Sequence, residues 1–261
     1  MRIQLLPSSF GNSQVIDQHQ RLTTFVVDDV VAIDAGSLAF GCSDVHRKSV
    51  RDVVISHTHL DHIAGLPIFI DDLFATLEEP LIVHATQEMV ASLETHIFNW
   101  DIYPKFSEIK NDFGNVLEYR MYEFGKAFDI KHLRVEAVAV NHNSPSAGFL
   151  ITDERSTICV TGDTGETSLL WQRLSAVEDL KAVFMECAFP DEMQRLATDS
   201  HHLTPKTLLS ELSKLDNNCR ESAKIFVSNI KATYREAVET QLKELDIPNV
   251  EIVEIGKIYE F

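Results

Sequence analysis

Three histidines and one aspartate crowd six consecutive residues, His57-Thr58-His59-Leu60-Asp61-His62. Neutral imidazole nitrogens and carboxylate oxygens are the donors that borderline divalent ions such as zinc prefer. In an extended segment alternate side chains share a side, which groups His57, His59 and Asp61; His62 joins them where the chain turns into a helix. One ion cannot take so many ligands from so short a stretch. The spacing therefore predicts two ions roughly 3.5–4 Å apart, each using part of the cluster. Such a pair polarises an electrophile and ionises a water near neutral pH, which is the chemistry of a metal-dependent hydrolase. Zn2+ suits these donors best, with Mn2+ or Fe2+ as the alternatives.

Two ions need ligands from elsewhere. His142 directly follows a strand-like run at residues 135–140, and Asp163 lies in Gly162-Asp163-Thr164-Gly165 directly after another at 157–161. The glycines let the backbone crowd a ligand. A lone strand-end His or Asp is usually structural. These two share their position with a cluster that lacks partners, and that makes them metal ligands.

The elements that must hold these residues read as follows. Strands are predicted at residues 23–27 and 30–34, joined by a turn at Asp28-Asp29, and again at 53–56, which delivers the His cluster. Further strands fall at 81–85, 135–140, 149–152, 157–161, 181–186 and 225–228. Helical spacing of apolar residues covers 63–73, 86–100, 205–215 and 234–245. Strands first, then alternating strands and helices, predict an α/β fold. It is a four-layered αβ/βα sandwich, two mixed sheets with helices outside, formed as a single domain over residues 1–261.

Composition narrows the partners. The 261 residues are 44% hydrophobic, enough to bury a core without a metal staple, so metal here serves chemistry rather than folding. A net charge of −17 repels the backbone of long nucleic acids. It leaves room for a small anionic ligand, because bound metal reverses the local field. The four cysteines Cys42, Cys159, Cys187 and Cys219 include no CxxC pair and read as reduced thiols of a cytoplasmic protein. The apolar stretch within residues 1–9 is too short for a signal peptide, and no run reaches the ~18 apolar residues of a membrane span.

His57-Thr58-His59-Leu60-Asp61-His62 matches the HxHxDH signature of the metallo-β-lactamase superfamily, and His142 and Asp163 match its later ligand positions. The run continuing through Ile63-Ala64-Gly65-Leu66-Pro67 resembles the class II cyclic-nucleotide phosphodiesterases within it. So do Thr95-His96-Ile97-Phe98-Asn99-Trp100-Asp101-Ile102-Tyr103-Pro104, Thr161-Gly162-Asp163-Thr164-Gly165, Phe184-Met185-Glu186-Cys187-Ala188-Phe189-Pro190 and His202-Leu203-Thr204-Pro205. The likeness covers nearly the whole chain. It implies a sandwich with its metals at one edge between the sheets. His57, His59 and His142 would take one ion, Asp61 and His62 the other, and Asp163 would bridge. Asp34 resembles the early strand-end aspartate that supports the ligands from behind. One position departs from the pattern: Asn229 stands where the superfamily has a last His ligand, so the second ion is less well provided for, and His201 is the candidate substitute.

The activity this implies is hydrolysis of a 3′,5′-cyclic nucleotide, cyclic AMP foremost, to the 5′-monophosphate by a metal-held hydroxide. Asp61 would orient the nucleophile and His202 would stabilise charge or protonate the leaving group. The aromatic residues between Phe98 and Phe106 are candidates to stack on the base. The partner is then a small cyclic nucleotide, with a homodimer among the compatible assemblies. Other readings stay open on the sequence alone. They are a tRNA 3′-processing endonuclease, a thioester or lactone hydrolase of the same superfamily, and a non-catalytic cyclic-nucleotide-binding protein.

Overall fold

The computed structural model describes residues 1–9 and 15–261. Among these, fourteen strands form two seven-stranded sheets. The first sheet contains β1 (Arg2–Leu5), β2 (Phe25–Val27), β3 (Val31–Ile33), β4 (Asp52–Val54), β5 (Leu81–Ala85) and β6 (Leu117–Met121) in that order. The second contains β7 (Ala127–Ile130), β8 (Leu133–Ala139), β9 (Ala147–Thr152), β10 (Thr157–Val160), β11 (Leu180–Glu186), β12 (Lys224–Ser228) and β13 (Val250–Ile252). The chain then returns to the first sheet, where β14 (Ile258–Glu260) pairs antiparallel with β1. Each sheet is half antiparallel and half parallel: β3 to β6 and β10 to β13 run parallel to their neighbours.

The alternation of side chains along the second sheet explains the layering. In β11, Ala182 and Phe184 face the core shared with the first sheet, whereas Val183 and Met185 face the outer helices. In β12, Phe226 points inward and Ile225 and Val227 outward. The outer face is covered by Leu170, Trp171 and Leu174 of the helix Leu169–Ser175, by Leu208 and Leu212 of Pro205–Leu212, and by Val238 and Leu242 of Arg235–Leu245. Between the sheets Phe25 meets Phe184 edge-on at 5.4 Å, and Phe184 stacks on Phe226 at 4.9 Å. A strand buried on both faces needs apolar residues at every position, which is why these runs read as continuous rather than alternating. The predicted four-layered sandwich is what forms.

Turn chemistry agrees with the sequence reading at Asp28-Asp29. Both residues have positive φ (48° and 62°), a conformation Asp tolerates, and Val30 N–H closes the turn on the Val27 carbonyl at 3.0 Å. Two helices differ from expectation. The stretch at 63–73 forms as Leu60–Ile63 and Gly65–Leu73, because Pro67 has no N–H to donate to the carbonyl four residues earlier. The helix expected over 86–100 ends at His96. There the Asn99 side chain accepts from the N–H groups of Asp101 (3.1 Å) and Ile102 (2.8 Å), offering the backbone a turn instead of another helical bond. The aromatic run beyond it is mostly core: Phe98 and Phe106 are fully buried, and its exposed large apolar side chains are Trp100 and Ile102. Trp100 is the aromatic side chain of this run that stays open to solvent.

No helix among the described residues is long and apolar enough to cross a membrane. The four cysteines are unpaired thiols.

Candidate metal centre

One edge of the sandwich collects the carboxyl ends of six strands. Asp34 follows β3, His57 follows β4, His142 follows β8, Asp163 follows β10, Glu186 ends β11 and Asn229 follows β12. Backbone packing holds the cluster loop against the end of β3. Thr23 N–H donates to the Asp61 carbonyl (2.8 Å) and Ala35 N–H to that of His62 (2.7 Å). A Cβ on Gly36 would lie 1.9 Å from the Asp61 carbonyl oxygen, so the approach requires glycine there. Gly162 is the second such position: its φ is +62°, and a Cβ would come within 2.7 Å of the Ala147 oxygen.

Hydrogen bonds behind the histidines set their tautomers. Asp34 accepts from Ser56 N–H and Ser56 Oγ–H and from His62 Nδ1–H, each at 2.7 Å. Ser56 Oγ, having spent its proton on Asp34, accepts from His57 Nδ1–H at 3.0 Å. Both imidazoles therefore carry their proton on Nδ1 and turn an Nε2 lone pair inward. His57 Nε2 and His62 Nε2 are buried and have no hydrogen-bond partner. An unmet buried polar atom costs about 1–3 kcal/mol, and a metal ion is what two converging imidazole lone pairs can satisfy.

Asp163 lies between them. Its Oδ1 is 3.3 Å from His62 Nε2, and its Oδ2 is 4.0 Å from His57 Nε2. One carboxylate thus offers one oxygen to each side, the geometry of a bridging ligand. His142 donates Nδ1–H to the His201 carbonyl (3.1 Å), leaving its Nε2 3.1 Å from His59 Nδ1. Two nitrogens bound to one zinc at ~2.0–2.1 Å sit about that far apart. The donor atoms form three groups, each within 4.8 Å: His57, His59 and His142; His57, His62 and Asp163; and His142, Asp163 and His202. The residues present fit a divalent metal.

Electrostatics favour the neutral form at three of the imidazoles. Burial holds the pKa of His57 well below the ordinary histidine value, lowers that of His59, and brings His142 down to about 4. All three are thus neutral, the form that ligates. Burial works against charge on His62 as well, but Asp163 and Asp34 outweigh it and raise its pKa well above the ordinary value.

The remaining candidates divide. His202 Nδ1 is 2.6 Å from Glu186 Oε1, and its ring lies 5.1 Å from that of His142. Burial disfavours its charge, but Glu186 wins and raises its pKa. The helix after it is capped without its help: Thr204 occupies the N-cap, its N–H donating to Thr207 Oγ1 at 2.8 Å. Asp61 stays outside the three groups and binds Lys231 Nζ through Oδ2 at 3.3 Å. Asn229 reaches the site, as its departure from the pattern suggested, with Nδ2–H donating to Asp163 Oδ1 at 2.5 Å. His201 does not join the donors. Its ring turns to Asn141 Oδ1 at 2.7 Å, and only its carbonyl serves the site, through His142. Sequence reasoning assigned no role to Ser56, Lys231 or Glu186. Glu186 carried a signal: a charged residue directly after the apolar run Ala182-Val183-Phe184-Met185, and it is 1% exposed. It also accepts backbone N–H bonds from Thr164, Ala188 and Leu203.

Known proteins resemble this chain in sequence and in fold. A "Probable 3′,5′-cyclic-nucleotide phosphodiesterase" of Yersinia pestis is 25% identical over 218 residues, covering 76% of this chain and 62% of the relative; the chain thus spans less than two thirds of that protein. In structure it is similar to unliganded yeast PDE1, with a TM-score of 0.75 at 18% identity over 98% of both chains. It also resembles the metallo-beta-lactamase fold protein YhfI from Bacillus subtilis, with a TM-score of 0.72 at 12% identity over 99% of this chain and 98% of that one. The family described as cAMP phosphodiesterases class-II matches residues 42–247, from before the His cluster to the end of the last long helix, and the protein belongs to that family.

Proposed function

We propose that this chain hydrolyses 3′,5′-cyclic nucleotides, cyclic AMP first among them, to 5′-monophosphates. The observation that carries the reading is the convergence of two unpartnered buried imidazole nitrogens and one carboxylate, in a chain whose family is named for this substrate. His57, His59 and His142 would hold one divalent ion and His62 and Asp61 a second, with Asp163 between. Zinc suits three neutral imidazoles and a carboxylate best. Bound metal would supply Lewis acidity toward the phosphoryl oxygens and acidify a water.

The chain's own groups supply the rest. A free oxygen of Asp61 orients the attacking water. His202, anchored by Glu186 at Nδ1, turns Nε2 toward the site and gives its proton to the departing 3′ oxygen as the P–O3′ bond breaks and the new P–O bond forms. Its raised pKa keeps that proton available near neutrality. The net charge of −17 supports a small substrate over long nucleic acid, and the four free thiols support a reducing, cytoplasmic setting.

The test is metal content per chain measured beside product formation from cyclic AMP and cyclic GMP. Metal-loaded protein that leaves both nucleotides intact would sink the proposal.

A further inference from the structure

We infer that Lys231 is the resident cation of the second-ion position: this chain holds one divalent ion tightly and accepts a second only when Lys231 releases Asp61. The inference rests on the divalent-metal reading above and goes beyond it in stoichiometry.

The two halves of the site are not equivalent. On the side of His59 and His142, three imidazoles bring their donor atoms within 4.8 Å of one another, and each is an available lone pair. On the side of His62 the imidazole Nε2 is buried and has no hydrogen-bond partner. Both carboxylates that should accompany it are met by N–H donors instead. Lys231 Nζ is 3.3 Å from Asp61 Oδ2, and Asn229 Nδ2 is 2.5 Å from Asp163 Oδ1. Neither an ammonium nor an amide nitrogen has a lone pair to offer an ion. The position that a last histidine would fill with a lone pair is filled here by two hydrogen-bond donors.

The segment that carries these donors is fastened in place. Asn229 has a left-handed backbone (φ 51°), and its N–H donates to the buried side chain of Gln20 at 2.8 Å. Lys231 N–H donates to the Ala188 carbonyl at 3.2 Å, and the Lys231 carbonyl accepts from Tyr234 N–H at 2.8 Å. Three hydrogen bonds over six residues hold the segment that presents both donors to the two carboxylates. The Lys231 side chain is about one-third exposed (36%), so its ammonium has a way from Asp61 into solvent. A second ion beside an ammonium that already neutralises Asp61 meets like charge and one ligand fewer. The first ion meets neither.

The experiment is a zinc titration of the metal-free, full-length chain by calorimetry, with bound zinc counted after equilibrium dialysis. One tight equivalent and a second, at least about tenfold weaker, is expected. Lys231→Met, which keeps the stem and removes the charge, should tighten the second step by about 10–100-fold, the range over which groups touching a ligand change metal affinity. It should leave the first step unchanged. Lys231→Arg should keep the second step weak. Acylation of the Lys231 amine, followed by mass spectrometry, reads the same event in the unmodified chain: slow with one zinc bound, fast at saturating zinc. Two equivalents of equal affinity in the wild type, or a second step unmoved by Lys231→Met, would overturn the inference and leave the hydrolase reading standing. A chain that takes up no zinc at all would sink both.

Discussion

Asp34→Asn separates the work of the acceptor behind the ligands from that of the ligands themselves. The side chain is 2% exposed and nearly isosteric with its replacement, so packing is preserved and only the donor–acceptor pattern changes. Asp34 Oδ1 takes Ser56 N–H; Oδ2 takes both Ser56 Oγ–H and His62 Nδ1–H. An asparagine must put its NH2 at one of these two places. At the Oδ2 place it faces His62 Nδ1 and forces that proton to Nε2. It also makes Ser56 Oγ an acceptor, whose hydroxyl then turns to His57 Nδ1 and drives that proton to Nε2 as well. Both inward lone pairs are lost. At the Oδ1 place the NH2 confronts the Ser56 N–H across a 2.7 Å gap, leaving a buried donor unmet at a cost of about 1–3 kcal/mol. The variant settles on the cheaper arrangement, and either one leaves a mark. Zinc affinity should fall by about 10–100-fold, equivalent to about 1.4–2.7 kcal/mol, or the urea midpoint of the metal-free chain should drop by the cost of one lost buried bond. Calorimetric zinc titration and urea unfolding of the metal-free protein read the two outcomes. A variant unchanged in both would refute the tautomer assignment of His57 and His62.

Other consequences follow from the same geometry. Asp163→Ala removes the one group that faces both His57 and His62, so tight zinc binding and turnover should vanish together, measured by bound metal and nucleotide chromatography. His202→Ala should lower kcat by about 10²–10⁴ while bound zinc stays at the wild-type level; loss of metal instead would make His202 a ligand. Gly162→Ala forces a side chain into a left-handed backbone position 2.7 Å from the Ala147 oxygen. It should therefore cost more than the ~1 kcal/mol typical of point substitutions, seen as an earlier thermal transition. Far from the site, Glu211 is 1% exposed and binds Trp171 Nε1 (2.7 Å), Thr167 N–H (2.9 Å) and Lys214. Glu211→Ala leaves the Trp171 and Thr167 N–H donors unmet and should cost about 1–3 kcal/mol of stability by thermal unfolding, with zinc affinity of the folded protein intact.

What could be read in the sequence depended on how far apart the interacting residues lie along it. The ligands His57, His59 and His62 fall within one strand end and one helical turn, so their convergence follows from local geometry. His142 and Asp163 could be placed because strand ends on one side of a sheet share an edge, a rule that needs no knowledge of individual contacts. Lys231 and Asp61 are 170 positions apart and Asn229 and Gln20 are 209 apart, and no local pattern announces that they meet. The same holds in the fold. The strands at the sandwich centre are apolar on both faces and stood out, whereas β6, with its half-exposed pattern, and β14, which pairs with the opposite end of the chain, did not. Asn229 shows the boundary. Its place at the end of β12 was legible and marked it as a missing ligand, but the sequence invited a replacement from a neighbouring imidazole, His201. The fold turns that ring toward Asn141 and brings an ammonium instead. A substitution that looks like the loss of a ligand is, in three dimensions, one part of a change from lone pairs to hydrogen-bond donors around two carboxylates. Its consequence is accordingly to be sought in how many ions the site holds, before it is sought in whether the site works.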